Sequence, residues 1–317
     1  MGIDKYDNLR PLTGCVDDAY AMREALETHE NGDANYSCFL LTSRGASPIT
    51  RKLLRRKWSE LFDNYEGDIL FYFSGHGHPT DVGGFIVTQD AEPGDPGLSM
   101  NDLLTLANNS RAKSVVMILD CCFAGMLGNP GVLQGGRRVE SVALLREGLT
   151  ILAASRPEQT AEIAYGRSVF TSLLLAALHG GAADVRGNVS VASVYAYADQ
   201  ALGEWDQRAV YKTHAYNLPP LRRCAPSVPD SILRWLPKTF PNVNDWFKMD
   251  PSYEHTDPSA IPEHVEIFNK FKLLRNARLL TTEEGKDLYY IALESKTISL
   301  TPLGQFYWHL AKEKNLR

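Results

Sequence analysis

Two buried-strand patterns, each ending in a chemically reactive residue, constrain the fold of this chain more than any other feature. Residues 68–73 are almost entirely apolar and lead into His76, whereas residues 115–119 are all apolar and lead through Asp120 into Cys121 and Cys122. Apolar runs of this length indicate strands that are covered on both faces, as in a parallel sheet. Chemistry in open α/β sheets is found at the carboxyl ends of the strands. We therefore expect a thiol and a base to meet at one edge of a sheet.

Segments with strand and helix patterns alternate through the first two thirds of the chain. Short apolar runs at 37–42 and 149–154 favour further strands. Apolar residues at helical spacing occupy 12–26, 170–178 and 190–202. This alternation predicts an α/β sandwich with a mostly parallel central sheet.

Composition excludes several classes of protein. The net charge of −5 gives no electrostatic reason to expect nucleic acid as a partner. No stretch approaches the ~20 apolar residues that cross a bilayer, and the N-terminus has no apolar signal core, so no membrane segment is predicted. The five cysteines are a sparse, odd-numbered set without zinc spacing. They indicate free thiols in a reducing compartment, which predicts a cytoplasmic protein.

The alternation of strand and helix patterns ends at about residue 206. Repeated prolines predict an extended connector over 206–260, and its aromatic residues indicate that it packs against a folded body. After it comes a helix pattern at 265–274, two β-like runs at 288–293 and 297–300, and a last helix around Phe306, Trp308 and Leu310. A helix, a hairpin and a helix predict a small winged-helix-like α+β module. The predicted domains are therefore 1–205, 206–260 and 261–317.

Cys122 is the predicted nucleophile and His76 its base. A cysteine attacks carbonyl carbons as a thiolate, and an adjacent histidine removes its proton or lowers its pKa. The alternative is a buried structural cysteine, which is the usual state of this residue, but the histidine at a second strand end favours catalysis. Because strand residues alternate between faces, Asp120 and Cys122 should share one face and Cys121 should point to the other. His78 is more simply explained as a loop residue.

An oxyanion hole is predicted beside this pair. His76 stands between two glycines, which allow the backbone to approach a substrate closely. The amide N–H of Gly77 and that of Cys122 could together stabilise the negative oxygen that forms during acyl transfer. The alternative for His76 is a histidine of a capped loop.

These motifs resemble those of the caspase and metacaspase family of cysteine peptidases. The residues Ser74-Gly75-His76-Gly77 and Asp120-Cys121-Cys122-Phe123-Ala124-Gly125 are similar to the SGHG and D-x-C-x-x-G signatures, and the histidine precedes the cysteine by 46 positions, close to the caspase spacing. Further segments resemble the family in order: Gly2-Ile3-x-x-Tyr6, Leu12-x-Gly14-Cys15-Val16-Asp17-Asp18-Ala19, Ala153-Ala154-Ser155 and Phe170-Thr171-x-Leu173-Leu174. The resemblance covers residues 1–205 and implies a caspase-like three-layer sandwich. It is nearer to metacaspases, which usually read D-S-C-H-S-G, so Cys121, Phe123 and Ala124 are departures.

The resemblance also implies a primary pocket for basic side chains. In metacaspases the acids of the G-C-x-x-D and D-x-C motifs line this pocket, and the matching residues here are Asp18 and Asp120, with Cys15 and Ser74 nearby. Two carboxylates in a partly desolvated pocket should select Arg or Lys, because an unpaired buried charge is costly. The alternative makes Asp18 a helix-surface acid and Asp120 the cap of a strand.

A turn-rich, polar segment follows the nucleophile strand over 126–141. It should be exposed and mobile, and it contains Arg137 and Arg138. Caspases carry the linker between their large and small parts at this place. An enzyme with an acidic pocket is therefore predicted to cleave itself after Arg137 or Arg138, and the alternative is a solvated basic turn.

Cofactor requirements follow only from the resemblance. Cysteine and histidine chemistry needs no cofactor, but many metacaspases need calcium. Acids after the histidine strand could supply oxygen ligands, namely Asp81, Asp90, Glu92 and Asp95. Their spacing matches no EF-hand, so no metal site is assigned, and a solvated acidic loop is the alternative.

The sequence therefore predicts a cysteine endopeptidase that cleaves protein substrates after Arg or Lys. The resemblance suggests regulation by cleavage or by a protein activator or adaptor bound to 261–317, in a setting such as bacterial defence or cell death. One alternative is a catalytically silent caspase-like scaffold that signals through its C-terminal module, but the intact Cys122 and His76 argue against it. Another is a winged-helix regulator with a small-ligand domain, which the lack of a phosphate-binding glycine loop and of a basic face disfavours.

Overall fold

A computed structural model describes residues 1–80, 83–122, 124, 127, 145–154, 163–164, 167–202, 209–215 and 218–316. The chain forms two compact units, one of Met1–Ala183 with Asn188–Cys224 and one of Asp184–Gly187 with Ala225–Arg317. The residues predicted to form a connector are divided between these units. Residues 209–224 contribute to the first unit, whereas 225–260 belong to the second.

The first unit contains the helices α1 (Cys15–Glu27), α2 (Arg51–Asn64), α3 (Met100–Asn109), α4 (Val169–Ala176), which a π-helical turn extends (Ala177–Gly181), and α5 (Val191–Leu202). Its strands are β1 (Asp68–Ser74), β2 (Gly77–Thr80), β3 (Gly83–Glu92), β4 (Asp95–Ser99), β5 (Ser114–Asp120), β6 (Leu149–Ala153), β7 (Ile163–Ala164), β8 (Arg167–Ser168), β9 (Asn188–Val189), β10 (Val210–His214) and β11 (Arg222–Arg223). Side-chain caps begin two of the helices, since Thr50 accepts a hydrogen bond at the start of α2 and Ser99 at the start of α3.

The central sheet has the strand order β1-β5-β6-β10. The strands β1, β5 and β6 are parallel, and β10 pairs antiparallel with β6. Gly2 forms parallel bridges with Thr42 and with Ser74, so the first residues of the chain continue the sheet beyond β1. The predicted mostly parallel α/β sheet is confirmed. Its register pairs Ser74 with Asp120, which places the carboxyl ends of β1 and β5 side by side.

Alternating side chains of the sheet fill two separate cores. Phe73 and Leu119 point into a cluster that α2 and α3 cover, whereas Tyr72 and Ile118 point into a cluster that α1, α4 and α5 cover. A fully buried side chain of this size stabilises the fold by about 1.5–3 kcal/mol, so both faces contribute. Helices on both faces of a sheet make the three layers that the resemblance implies.

A small antiparallel sheet of order β2-β3-β4 follows the histidine strand. Gly77 pairs with Ile86, and the N–H of Val87 donates to the carbonyl of His76. This sheet supports the backbone that leaves the sheet edge at His76. Among the residues that the structure describes, no helix is long and apolar enough to cross a membrane.

The second unit contains the helices α6 (Asp230–Leu233), α7 (Leu236–Thr239), α8 (Pro262–Asn276), α9 (Leu288–Leu293) and α10 (Pro302–Lys312). Its strands are β12 (Trp246–Lys248), β13 (Leu280–Thr282) and β14 (Thr297–Leu300), in the antiparallel order β12-β14-β13. Leucines and aromatic side chains make up most of the core, and Trp308 donates a 2.7 Å hydrogen bond to the carbonyl of Phe240.

The predicted hairpin of the second unit is wrong in one of its strands. The run at 288–293 is the helix α9, and β14 pairs instead with β12 and β13. Leu288, Ile291 and Ala292 are buried at helical spacing, and the carboxylate of Asp287 caps the helix by accepting from the N–H of Tyr289. The helices predicted at 265–274 and around 306–310 are present, but the winged-helix-like arrangement is not confirmed.

Candidate active site

The loops that leave β1 and β5 contact each other. The N–H of Gly75 donates to the carbonyl of Asp120 at 3.3 Å, which continues the pairing of the two strands beyond their ends. Further on, a Cβ atom placed on Gly77 would lie 2.0 Å from the carbonyl oxygen of Cys122. The backbones of the two loops are thus in direct contact, and only a glycine fits at this point. This contact places the half-buried His76 and Cys122 at one edge of the sheet.

Hydrogen bonds from the N-terminal segment hold His76. Its backbone N–H donates to the hydroxyl oxygen of Tyr6 at 2.8 Å, and the two rings lie 4.8 Å apart between centroids. Its Nε2 lies 2.9 Å from the carbonyl oxygen of Arg10. Because a carbonyl oxygen can only accept, Nε2 carries the proton, and Nδ1 of the neutral ring is left unprotonated. Nδ1 is then the ring nitrogen that can accept a proton.

The two adjacent cysteines differ in their surroundings. Cys121 is completely buried in the core between the sheet, α2 and α3, whereas Cys122 is half-buried. Cys121 therefore lies on the face that strand alternation predicted for it. His78 is exposed on β2.

The four residues predicted for the primary pocket lie together on the side of the sheet that α1 covers. Asp18 and Asp120 are each 1% exposed. The Oδ2 of Asp18 accepts from the Ser74 hydroxyl at 3.5 Å and from the backbone N–H of Ser168 at 3.4 Å. The Oδ2 of Asp120 accepts from the hydroxyl of Thr171 at 2.6 Å. Asp18 is therefore a buried acid and not a helix-surface residue.

The pKa of Cys15 depends on the burial and the charges of this pocket. Burial raises the pKa of the Cys15 thiol to about 12, a hydrogen bond with Ser74 opposes the shift, and the negative charges of Asp4, Asp120 and Asp18 add to it. Burial is the largest cause of this shift, and the negative charges of the three acids add a smaller contribution. A cation that entered would gain from two carboxylates that water screens poorly.

Several residues of the site were not predicted. Tyr6 and Thr171 belong to segments that resemble the family, but the sequence alone does not show what their hydroxyl groups contact. Arg10 contributes only a backbone carbonyl, which carries no residue signal. Ser168 likewise contributes a backbone N–H.

The acids considered as calcium ligands are bound to other groups. The carboxylate of Asp90 accepts from the backbone N–H of Arg51, and Asp95 forms an ion pair with the guanidinium of the same residue. Asp81 lies outside the described residues, and Glu92 is exposed. Within the described segments, no cluster of His, Cys, Asp and Glu has a metal-binding arrangement. Among the described acids, Asp90, Glu92 and Asp95 do not form a shared site, and calcium dependence stays a prediction from the resemblance.

Other predicted features fall in parts of the chain that the structure does not describe. Arg137 and Arg138, the predicted cleavage site, lie outside the described residues, as do Phe123 and Gly125 of the nucleophile motif. Ala124 is described and fully buried.

Comparisons with known proteins agree with the predicted family. No match is found among curated protein sequences. Among solved structures, the chain is similar to protein GSU0716 from Geobacter sulfurreducens, with 16% identity, a TM-score of 0.48, and coverage of 71% of this chain and 95% of that one. It is also similar to pro-sf-caspase-1, with 11% identity, a TM-score of 0.44, and coverage of 71% and 87%. The family described as Caspase domain matches residues 1–215. The chain therefore belongs to the caspase-domain family, whose superfamily is one of cysteine peptidases.

Proposed function

We propose that this protein is a cysteine endopeptidase that cleaves after Arg or Lys. The contact between the two strand-end loops supports this proposal most directly, because the packing of Gly77 on the Cys122 carbonyl brings His76 and the thiol to the same edge. The tautomer that the Arg10 carbonyl selects supports it further. Membership in the caspase-domain family supports peptide hydrolysis by a cysteine as the class of reaction.

Acyl transfer at this site would proceed in two halves. Nδ1 of His76 takes the proton of the Cys122 thiol, and the thiolate attacks the carbonyl carbon of the scissile peptide bond. The oxygen that becomes negative accepts hydrogen bonds from the N–H groups of Gly77 and Cys122. The imidazolium then gives its proton to the leaving amine as the C–N bond breaks. Water, deprotonated by the same imidazole, hydrolyses the thioester and restores the thiol.

Selectivity for a basic residue would come from Asp18 and Asp120. Both carboxylates are buried, so their attraction to a guanidinium or ammonium is weakly screened. A neutral or acidic side chain would leave them without a cation. We expect that difference to be worth about 3–5 kcal/mol, as for other broken buried pairs.

A panel of fluorogenic peptides that end in Arg, Lys or Asp tests the proposal. The wild-type chain should cleave the Arg and Lys peptides, and Cys122→Ala and His76→Ala should abolish cleavage. Asp120→Asn should lower kcat/KM for the Arg peptide about 100-fold or more, because 1.4 kcal/mol corresponds to a factor of ten. Cleavage after Asp, or equal activity of Cys122→Ala, would contradict the proposal.

We also propose that cleavage after Arg137 or Arg138, or binding of a partner to the second unit, activates the enzyme. Mass spectrometry of purified wild-type and Cys122→Ala chains tests the first route. Fragments that end at Arg137 or Arg138 should form only from the wild-type chain, and identical fragments from both would refute autoprocessing. A role in bacterial defence or cell death stays a prediction from the resemblance.

A further inference from the structure

A line of buried polar groups runs from the central sheet to α4 beside the acidic pocket. The hydroxyl oxygen of Tyr72 lies 2.7 Å from Oγ1 of Thr171, and Oγ1 lies 2.6 Å from Oδ2 of Asp120. The exposed fractions of the three residues are 6%, 0% and 1%. Three different elements, β1, α4 and β5, contribute one residue each. The catalytic steps proposed above use neither Tyr72 nor Thr171.

The chemistry of the groups sets the direction of both hydrogen bonds. An ionised carboxylate has no proton to give, so Thr171 donates to Asp120. The single hydroxyl proton of Thr171 is then engaged, so Tyr72 donates to Thr171. Tyr72 keeps this proton, because burial raises its pKa well above the ordinary range and the charges of Asp120 and Asp18 act in the same direction. The two bonds therefore point from the phenol to the carboxylate.

We propose that Tyr72 and Thr171 form a hydrogen-bond relay that holds the Asp120 carboxylate in position for the basic side chain of the substrate. Thr171 is then a positioning residue for specificity. This inference rests on the proposed function, because it assigns a role within the same pocket.

The two acids of the pocket are held differently. The contact between Thr171 and Asp120 is short, as charge-assisted O–H···O⁻ bonds are, whereas the two contacts of Asp18 described above measure 3.5 and 3.4 Å. Asp120 is thereby anchored to α4. Such preorganisation favours binding of a cation, because the carboxylate loses little freedom when the complex forms.

A purely structural role of Thr171 has different consequences. A hydroxyl that only satisfies a buried acceptor affects the stability of the fold, and its removal leaves KM unchanged in a variant that still folds. The relay instead fixes the carboxylate that binds the basic side chain of the substrate. Removing the donor should therefore raise KM with little change in kcat, and Thr171→Ser should restore KM.

Three variants separate these roles. Thr171→Val keeps the shape and removes the donor, Thr171→Ser keeps the hydroxyl, and Tyr72→Phe removes only the outer hydroxyl. With the Arg peptide, Thr171→Val should raise KM about tenfold with kcat changed less than about threefold, as expected for a lost hydrogen bond to a charged group. Thr171→Ser should restore KM, and Tyr72→Phe should raise KM about twofold to threefold.

The outcomes distinguish the relay from the proposed function. If wild-type enzyme prefers the Arg peptide but Thr171→Val leaves KM unchanged, the relay is refuted and the function stands. If wild-type enzyme shows no preference for basic peptides, the proposed function fails, and the relay fails with it. Should Thr171→Val not fold, Tyr72→Phe decides, and an unchanged KM in that variant also refutes the relay.

Discussion

The contact between the two strand-end loops can be tested by adding one methyl group. In Gly77→Ala the new Cβ would lie 2.0 Å from the carbonyl oxygen and 3.0 Å from the carbonyl carbon of Cys122, and 3.3 Å from the Sγ of Cys121. Cβ atoms essentially never approach other heavy atoms closer than 3.0 Å. The atoms in the way belong to the backbone or to a buried side chain, so no rotamer change relieves the clash. One loop must move by about 1 Å.

That displacement sets the size of the expected effect. A misplacement of about 1 Å between catalytic groups costs about 100-fold in rate. Overpacking of this kind destabilises a fold by about 1–3 kcal/mol. We therefore expect kcat/KM of Gly77→Ala for the Arg peptide to fall about 100-fold, while the melting temperature shows that the chain remains folded at the assay temperature.

Gly67→Ala is the matched control. Gly67 precedes β1 on the surface, and a Cβ placed there meets no atom within 4 Å. Neither Gly67 nor Gly77 has a positive φ, so an alanine strains the backbone at neither position. Activity of Gly67→Ala should stay within twofold of wild type. If Gly77→Ala is as active as Gly67→Ala, the described contact between the loops does not exist.

Two further predictions concern Tyr6 and Cys15. Tyr6→Phe removes the hydroxyl oxygen that accepts from the N–H of His76. We expect kcat to fall about tenfold while the chain remains folded. An unchanged kcat would show that this hydrogen bond does not position the histidine. The folded-state pKa of Cys15, about 12, is raised above its ordinary value of 9.0. Its contribution to stability is therefore complete below pH 9 and is lost as the pH rises towards 12. Urea unfolding should show about 1 kcal/mol lost between pH 9 and pH 10, and Cys15→Ala should remove that loss; an identical pH dependence in the variant would contradict the assignment.

The central sheet could be predicted because its strands are almost uniformly apolar. Residues 68–73 and 114–120 are covered on both faces, and such burial leaves a short continuous apolar run in the sequence. The ends of these strands carried the reactive residues, so the edge that holds the site followed from the same pattern. The strand β10 was not recognised, because its pairing with β6 joins segments about 60 residues apart and its residues are only partly buried.

The strand preference of individual residues gave a wrong prediction where tertiary packing determines the secondary structure. The run at 288–293 contains two tyrosines and an isoleucine, which favour strands, yet the cap at Asp287 and the burial of one side produce a helix. The boundary near residue 225 was also missed, since the proline-rich segment contributes buried side chains such as Phe240 to the second core. The prolines of this segment lie between short packed secondary-structure elements or in their first turns.

Within the candidate site, strand alternation predicted the side to which Cys121 points, but the contacts of His76 and the burial of Asp18 could not be predicted. The protonated nitrogen of His76 depends on a backbone carbonyl at Arg10, which any residue could supply. The burial of Asp18 depends on its position on α1 facing the sheet. Such properties arise from contacts between distant segments, and a single sequence does not encode them locally.

Labelling of the nucleophile tests the central claim most directly. A peptide that ends in an Arg chloromethyl ketone should alkylate the chain once, and mass spectrometry of the digest should place the adduct on Cys122 in the wild-type chain. His76→Ala and a matching Asp-terminated reagent should both give little labelling. An adduct on Cys121, or equal labelling by the Asp reagent, would contradict a catalytic pair of His76 and Cys122 with an acidic pocket beside it.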